Sequence, residues 1–560
     1  MILLVVLGYF VLIQGACAQK DSPPEPYDYL GYVQQFADNV LKHGRDTYGE
    51  VHSPLFVDGI NTRTLEPVRW ELDGESWVLS NFASQQNLMR VFDSLTKLTG
   101  DETYRTAASN AIQYMFNHHS DSNGLMYWGG HQFVDLKHMA HKFEDRPHEL
   151  KNNFPYYELM WEVDADATRK MLRAMWSSHI MDWSVLDMNR HADYETPAPQ
   201  NWDLEFEQQP PFYEGRGLTF INFGTDMLHV ALSLYFLGEE DDARVWGTRL
   251  FEQYVRARHP ETGLGVYQYS QPLRREMPPS EGPLTGRLTY SNYGDRAQNQ
   301  FGAVYGDIAL EGNALWGNRI TTIYGRSAIV TLHLAEQLKG RPEGQYLLEN
   351  TISGMKAISR HSYDPSKNVF RPLWADGTDL TGHTIQRTGY FGEEGREFEV
   401  LEPDGTMALA FSRAARLAES DEIWQVVRNF FIDENLGDPG ESMHDKPELN
   451  YRSGDSDPDY LIAILELYRA TGHPEYLHLA QAIGNNIVDK RFHDGYFKPG
   501  PEYVYSRFDN AESLALLTLE AVRRGQPELV PPYLGSVGST QGDHDDLGYI
   551  RDFIFYEETD

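Results

Sequence analysis

Hydrophobic residues recur every three or four positions over most of this chain, which is the spacing that predicts amphipathic helices. The first such stripe runs from Leu30 to Leu41. Comparable stripes follow at 80–98, 102–118, 164–180, 221–237, 241–257, 322–338, 344–358, 406–417, 421–433, 459–471, 476–488 and 510–523. The pattern therefore predicts a protein dominated by α-helices.

Several neighbouring stripes are joined by a short segment in which a glycine is followed by an acidic residue, often with a proline between them. Examples are Gly100-Asp101, Gly472-His473-Pro474-Glu475 and Gly525-Gln526-Pro527-Glu528. Glycine favours the backbone conformation that ends a helix, whereas proline and acidic residues favour the first turn of the next one. Such joints predict antiparallel helical hairpins. Their irregular spacing excludes a short-period solenoid and suits hairpins that close into an (α/α) toroid or barrel.

Four long polar segments interrupt the helical pattern, and they are rich in glycine, proline and aromatic residues. They lie around 120–155, 182–220, 258–320 and 360–404. Loops of this length in a compact fold usually carry function. We therefore expect a functional rim on the toroid, beside a small β appendage to which strand-like residues 265–269 contribute.

The start of the chain has the pattern of an export signal. An uninterrupted apolar run, Ile2 to Ile13, precedes the small residues Ala16-Cys17-Ala18, as in a cleaved signal peptide. We expect residues 1–18 to be removed from a periplasmic or secreted protein, with lipid attachment at Cys17 as the alternative. Residues 19–560 are then expected to form one catalytic domain. A membrane span needs about 20 consecutive apolar residues, and no later stretch of the sequence has an apolar run of that length.

Composition narrows the possible chemistry. Cys17 is the only cysteine among 560 residues, which excludes disulfides, cysteine nucleophiles and zinc–thiolate sites from the mature protein. The formal net charge of −35 argues against nucleic acid, which binds largely through lysine and arginine. The same charge would repel an acidic sugar polymer unless arginines and a bound cation reverse the field locally. We therefore expect a basic, metal-bearing groove in an acidic shell.

The first two polar segments contain candidate metal ligands. In Trp128-Gly129-Gly130-His131, the two glycines allow a sharp turn that presents the imidazole. Glu149 follows in the same segment, and the second segment contains Asn189-Arg190-His191. Two imidazoles and one carboxylate form a mixed ligand set that suits Mn²⁺ better than Ca²⁺. Any single member among the chain's 20 histidines is more often a surface or capping residue, so the prediction depends on the whole set.

These residues resemble a known constellation. Gly130-His131, Glu149 and Arg190-His191 are similar to the metal and base residues of the family 2 pectate lyases, which the chain also resembles in length. The resemblance implies an (α/α) barrel with a small β appendage that cleaves a uronate polymer, such as polygalacturonate, by β-elimination. It implies that His131, Glu149 and His191 bind a divalent metal, commonly manganese. It further implies that Arg190 is the Brønsted base.

The reaction itself makes demands that can be stated without the resemblance. Removing the weakly acidic proton beside a uronate carboxylate requires that carboxylate to be neutralised, which a cation and an arginine fork can do. It also requires a base within hydrogen-bond reach of the proton. A guanidinium normally stays charged, so Arg190 needs other positive charge nearby to act as a base, and a carboxylate clamp is its alternative role. Glu158 is the competing carboxylate ligand.

The third polar segment contains a dense group of arginine, tyrosine and asparagine at 286–300. This composition suits a sugar groove, since arginine binds carboxylates in bidentate fashion and aromatic faces cover pyranose rings. The resemblance implies a second essential arginine in this region, for which we choose Arg296; a structural salt bridge is its alternative role. Its rivals are Arg287, Arg319 and Arg326. The predicted substrate-binding residues are Trp128, Asn189, Arg287, Tyr293, Tyr505 and Arg507.

Two other functions remain open at the level of the sequence. One is a metal-independent glycoside hydrolase that uses two carboxylates on a similar helical toroid. Its candidate acids would be Asp187, Asp203, Glu205 and Glu207. The other is a non-catalytic glycan-binding protein of the cell surface, whose groove would hold the same arginines and aromatics. Helical toroids host unrelated functions, so the fold alone does not decide between them.

Overall fold

A computed structural model describes residues 23–72, 74–130, 132–141, 147–199, 202–272, 295–536 and 549–551. The predicted signal peptide at 1–18 lies outside these residues. The helices are α1 Tyr29–His43, α2 Gln86–Thr99, α3 Glu102–His118, α4 Tyr157–Val163, α5 Ala165–His179, α6 Ile221–Gly238, α7 Asp241–Arg256, α8 Arg296–Tyr305, α9 Asn318–Ile320, α10 Ser327–Gln337, α11 Pro342–His361, α12 Gly405–Ala418, α13 Asp421–Asp433, α14 Pro458–Thr471, α15 Pro474–Arg491 and α16 Ala511–Arg523. A π-helical segment, Thr321–Arg326, joins α9 to α10.

The predicted hairpin joints have the expected geometry. Gly100 ends α2 with a φ of 78°, and the side chain of Asp101 caps α3 by accepting from the Thr103 N–H. Gly472 ends α14 with a φ of 70°, and Pro474 begins α15. Glycine adopts these positive φ values at little cost, so the joints follow from the local sequence.

The hairpins close into a toroid. An inner ring is formed by α2, α6, α10, α12, α14 and α16, while α3, α7, α11, α13 and α15 each pack outside the inner helix that precedes them. The short α4 and the segment before it bridge α2 and α6, with the Tyr156 N–H donating to Gln86 Oε1 at 2.9 Å. The first helix, α1, packs against the last, α16. The predicted (α/α) toroid is thereby confirmed.

Neighbouring inner helices touch through their first turns. Thr406 Oγ1 of α12 donates to Asp459 of α14 at 2.8 Å, and Thr225 of α6 bonds Ser327 of α10 at 2.9 Å. The Asn87 N–H of α2 donates to the carboxylate before α16 at 2.6 Å. The inner helices therefore run in one direction. Their N-terminal ends, which carry partial positive charge, gather at one end of the toroid.

The β structure that accompanies the helices consists of one five-stranded sheet and of strand pairs. Its strands are short: β1 Gly59–Asn61, β2 Arg69–Leu72, β3 Glu75–Ser80, β4 Val134–Asp135, β5 Ala140–His141, β6 Ile180–Asp182, β7 Asp187–Met188, β8 Glu214–Gly215, β9 Gln271–Pro272, β10 Ala314–Leu315, β11 Tyr363–Asp364, β12 Val369–Phe370, β13 Leu373–Trp374, β14 Gly437–Asp438, β15 Glu448–Leu449, β16 Phe492–His493, β17 Tyr496–Phe497, β18 Tyr505–Arg507 and β19 Tyr549–Arg551. One antiparallel sheet has the order β19-β2-β3-β4-β5, and the others are pairs. Residues 265–269 form no regular strand, because their backbone bonds are shared among three separate segments, at Phe212, Ile221 and Gly312.

The segment after α16 returns through the ring. Leu534 packs in a buried cluster with residues of α6 and α10, and the Tyr533 carbonyl accepts from Arg413 of α12 at 3.2 Å. At its end, Ser536 Oγ bonds Asn87 in the first turn of α2 at 2.9 Å. This segment thus fills the centre of the toroid. In the part of the chain that the structure describes, no helix is long and apolar enough to cross a membrane.

Candidate active site

A buried carboxylate lies at the centre of the candidate site. Glu149 has no exposed side-chain surface, and Lys151 Nζ lies 2.8 Å from its Oε2. Arg190 Nε and His191 Nε2 lie 3.1 and 3.3 Å from its Oε1. The three basic side chains are between 23% and 31% exposed, so they stand between the carboxylate and solvent. Such partners are what a charge needs in order to be buried.

Two glycines bring the backbone against this carboxylate residue. The Gly130 N–H donates to the Glu149 carbonyl at 2.8 Å, and a side chain at Gly129, whose φ is 106°, would overlap that carbonyl. Asn81 holds the turn from the other side, with Nδ2 donating to the Gly129 carbonyl at 2.7 Å. The predicted sharp turn is therefore present. His131, which follows it, lies outside the described residues.

A short backbone pairing joins Glu149 to the second polar segment. The His148 N–H donates to the Ala192 carbonyl at 2.9 Å, and the Ala192 N–H returns a bond at 3.1 Å. Because His148 precedes Glu149 and Ala192 follows His191, this pairing sets the carboxylate opposite the Arg190-His191 pair. Two segments that are about forty residues apart in the chain thus meet at one point.

A hydrogen-bonded row of buried side chains lies behind the site. Trp128 Nε1 donates to His148 Nε2 at 2.9 Å, and His148 Nδ1 lies 2.8 Å from His179 Nε2. His179 Nδ1 lies 2.7 Å from the Asn189 carbonyl. Burial lowers the pKa of His179 to about 3 and holds the pKa of His148 well below its ordinary value. Burial therefore favours the neutral form of both imidazoles.

A second basic cluster surrounds another buried carboxylate. Arg296 Nε donates to Glu311 Oε2 at 2.6 Å, and its Nη2 contacts the other oxygen. Arg319 donates to Glu311 Oε1 at 2.8 Å and to the Glu311 carbonyl at 2.7 Å. Burial acts to raise the pKa of Glu311, but the two guanidinium groups outweigh it and lower that pKa. Asp295 supports the cluster by accepting from the Glu311 N–H at 2.9 Å, and burial raises the pKa of Asp295 to about 6.

An aromatic floor connects the two clusters. The ring of Phe220, just before α6, has the Arg190 guanidinium 5.1 Å from its centroid and the Arg296 guanidinium 5.5 Å from it. Tyr267 lies 5.1 Å from Phe220, ring to ring. The 46% exposed Tyr390 stacks on Arg296 at 3.8 Å. Guanidinium groups and aromatic faces therefore line one cleft at the end of the toroid where the inner helices begin.

The structure brings together four of the predicted site residues, namely Glu149, Arg190, His191 and Arg296. The predicted substrate contact of Trp128 is wrong, because its ring is completely buried and has no face toward solvent. Asn189 accepts from His179 with its carbonyl and from the His191 N–H with its side chain, at 3.2 Å. Arg287 and Tyr293, like His131, lie outside the described residues.

Tyr505 and Arg507 lie on β18, which pairs with β1. Burial lowers the pKa of Arg507, beside the carboxylates of Asp509 and Asp58. The Asp58 carboxylate in turn accepts from the N–H of Asn81 at 2.7 Å. Since Asn81 also holds Gly129, this strand supports the glycine turn from behind.

Among the rival residues, Arg319 shares Glu311 with Arg296, whereas Glu158 and Arg326 lie elsewhere. Burial raises the pKa of Glu158, whose charged neighbours are Arg90, Glu162 and Lys97 rather than the site arginines. Arg326 lies near Asp404. Among the acids considered for a hydrolase, Asp187 accepts from the N–H groups of Arg216 and Gly217. The others, Asp203, Glu205 and Glu207, are exposed.

Sequence reasoning missed several residues of the cleft, among them Lys151, Phe220, Glu311 and Tyr390. Lys151 carried a weak signal, since it lies two positions after Glu149. The other three are separated from Arg190 by long stretches of chain, and only packing brings them together. Within the described residues, no three His, Cys, Asp or Glu side chains form a metal-binding group. The third member of the predicted set, His131, is not among those residues.

The fold and the cleft together define a class: an (α/α) toroid with a basic, aromatic-lined cleft at its loop-bearing end. A family model described as periplasmic pectate lyase matches residues 53–543. The chain is 32% identical over 554 residues to the pectate disaccharide-lyase of Dickeya dadantii (strain 3937), which covers 95% of this chain and 96% of that protein. The chain therefore belongs to the periplasmic pectate lyase family and is a polysaccharide lyase.

Two solved structures illustrate more distant similarity. An α-mannanase of glycoside hydrolase family 76 from Bacteroides thetaiotaomicron aligns with 8% identity and a TM-score of 0.40, over 89% of this chain and 96% of that one. A cellobiose 2-epimerase from Bacillus thermoamylovorans B4167 aligns with 9% identity and a TM-score of 0.39, over 88% of this chain and 99% of that one.

Proposed function

We propose that this protein cleaves pectate, or a closely related uronate polymer, by β-elimination with the help of a divalent cation, Mn²⁺ by preference. The observation that carries the proposal is the meeting of Glu149, Arg190 and His191 with Arg296 in one cleft of a family member. The Dickeya relative is named as a pectate disaccharide-lyase, which supports pectate as the substrate. Export to the periplasm, after removal of residues 1–18, accords with the description of the family.

The donor set fits a divalent ion. Glu149 Oε1 and His191 Nε2 lie 3.3 Å apart, so these two side chains could hold one divalent ion together. His131, which follows the turn that is bonded to Glu149, is the proposed third ligand. When bound, such a cation supplies positive charge that neutralises the uronate carboxylate and makes the proton on C5 more acidic.

Arg190 is the proposed base. It would take the C5 proton, and the electron pair left on C5 would form the C4–C5 double bond. The bond from C4 to the glycosidic oxygen would break, and that oxygen would keep the bonding pair and take up a proton from water. The positive group of Lys151 lies beside the same carboxylate as Arg190, and neighbouring positive charge is what a basic guanidine requires. If Arg190 instead clamps the substrate carboxylate, it still belongs to the site.

Arg296 is proposed to bind a uronate carboxylate on the other side of Phe220. Glu311 holds its Nε and one Nη, which orients the planar group rigidly. Tyr390 and Tyr267 offer aromatic faces for pyranose rings. The N-terminal ends of the inner helices add partial positive charge beneath the cleft, which favours a polyanion despite the protein's net charge of −35.

The test is to incubate the purified protein with polygalacturonate and follow ultraviolet absorbance, with and without a chelator. We expect absorbance from the new double bond, its loss on chelation and its recovery with Mn²⁺. New reducing ends without absorbance would indicate a hydrolase, and binding without either product would indicate a glycan-binding protein. Lyase activity that a chelator does not change would remove the cation from the proposal.

A further inference from the structure

The row of buried side chains behind the site has a defined hydrogen-bond direction. An indole N–H can only donate, and a backbone carbonyl can only accept. Since Trp128 donates to Nε2 of His148, the proton of His148 must be on Nδ1 and point to His179. His179 must likewise carry its proton on Nδ1, which donates to the Asn189 carbonyl. A charged imidazole at either place would set two N–H groups against each other.

Three residues of this row are direct neighbours in the chain of residues in the site. Trp128 directly precedes the Gly129-Gly130 turn, and His148 directly precedes Glu149. Asn189 directly precedes the Arg190-His191 pair, and its side chain also accepts from the His191 N–H. The donors and acceptors therefore connect the three segments that carry the site, although none of them enters the cleft.

The last bond of the row is the critical one. The Asn189 N–H donates to the His179 carbonyl at 2.9 Å while the Asn189 carbonyl accepts from the His179 ring, so this loop residue is held on both sides by one residue at the end of α5. His179 is completely buried, which makes the bond costly to lose. A loop held in this way has little freedom to rotate the side chains that follow it.

We propose that His179 is a positioning residue, which fixes the Asn189 backbone and so holds Arg190 and His191 in line with Glu149, while His148 sets the tautomer of His179. The catalytic part of this inference rests on the proposed lyase function. Residues that orient the ligands of a metal or of a substrate commonly contribute roughly 10- to 100-fold to activity.

Two substitutions of one residue separate the two bonds of His179. His179→Asn keeps a donor near the place of Nδ1 and loses the acceptor for His148. His179→Gln keeps an acceptor near the place of Nε2 and loses the donor to Asn189. We expect His179→Gln to lower kcat roughly 10- to 100-fold with little change in KM, and His179→Asn to stay near the wild type.

The Tm of each variant controls for a loss of activity that is caused only by a less stable fold. Each variant leaves one buried group unpaired, so both should lower Tm by similar amounts. His229→Asn is the matched substitution, because His229 is also buried, at 3% exposure, but packs on Tyr157 outside the row. It should lower Tm and leave kcat unchanged. If kcat falls equally in both His179 variants, in proportion to Tm, the inference is overturned.

A second readout does not depend on catalysis. Imidazole nitrogen chemical shifts in ¹⁵N-histidine-labelled protein should show His148 and His179 as Nδ1–H tautomers, and an Nε2–H tautomer at either would overturn the inference. If the wild type shows no lyase activity, the proposed function fails by itself. Crystal structures of the two variants then still decide the inference, since Arg190 should be displaced only in His179→Gln.

Discussion

Basic side chains surround buried carboxylates at both ends of the toroid, and the group around Glu149 can be compared with the group around Glu466. The group away from the cleft joins the later turns of three inner helices. Arg413 and Arg416 bind the two oxygens of Glu466 at 2.7 and 2.5 Å, and both terminal nitrogens of Arg416 bind Glu336 at 2.8 Å. The side chains of Arg413, Arg416 and Glu466 are only 5–8% exposed. Positive and negative charges are nearly equal in number.

The group at the cleft has more basic side chains than carboxylates. Around Glu149 there are three basic side chains for one carboxylate, and each is between 23% and 31% exposed. Aromatic rings rather than helix backbones lie beside them, as Phe220 does between Arg190 and Arg296. The comparison shows that an arginine–carboxylate contact does not mark a site by itself. Excess positive charge, partial exposure and an aromatic floor distinguish the cleft from the structural pairs.

The largest effect that we expect at the cleft is on rate. Arg190→Ala should lower kcat roughly 10²- to 10⁴-fold, the range for loss of a general base, because the substrate proton then has no acceptor. Tm should change little, since Glu149 keeps Lys151 and His191 as partners. Absorbance assays on polygalacturonate and thermal unfolding would measure the two effects. A variant that unfolds readily but turns over normally would reverse the comparison.

At the opposite end, the effect should be on stability. Arg413→Met leaves Glu466 with one partner instead of two, and it removes a donor from the carbonyls of Ile329 and Tyr533. Breaking a buried pair in this way costs about 3–5 kcal/mol of unfolding free energy. Chemical denaturation would measure the loss, and kcat of the folded fraction should stay at the wild-type value. As a control, Arg469→Ala removes a 61% exposed partner of Glu336 and should cost at most about 1 kcal/mol.

A smaller change tests the second arginine of the cleft. Arg296→Lys keeps the charge but loses the planar fork that Glu311 orients, so we expect KM to rise about tenfold with a lesser change in kcat. Steady-state kinetics over a range of polygalacturonate concentrations would measure it. An unchanged KM would place the substrate carboxylate away from Arg296.

The smallest effect concerns pH. Hydrogen bonds from Arg416 lower the pKa of Glu336 to about 2, from an ordinary value of 4.5. Because the folded-state pKa is the lower one, Glu336 stabilises the fold above about pH 4.5, and this contribution disappears as the pH falls toward 2. Glu336→Gln should therefore flatten the decline of Tm between these pH values. An identical decline in both proteins would mean that other carboxylates cause it.

The residues of the site differ in how far the sequence could predict them. Glu149, Arg190 and His191 were predicted because their order and spacing match a family pattern, and the fold brings the three side chains together. Lys151 was within reach of the same reasoning. The prediction that Trp128 contacts substrate was wrong, since the local sequence beside a glycine turn does not show whether an aromatic ring faces solvent or the core. The Trp128 ring donates to His148 and stacks on Phe82, and both residues approach it only in the folded protein.

The helices, their ends and the hairpin joints were determined by the sequence itself, because apolar periodicity, capping and glycine conformation act between residues a few positions apart. The composition likewise excluded cysteine chemistry and disfavoured nucleic acid. Only the tertiary structure decided that Arg190 and Arg296 share the ring of Phe220, or that one imidazole row supports the loop at Asn189. Those contacts join segments from separate hairpins, and their energies depend on how the ring closes rather than on any local pattern.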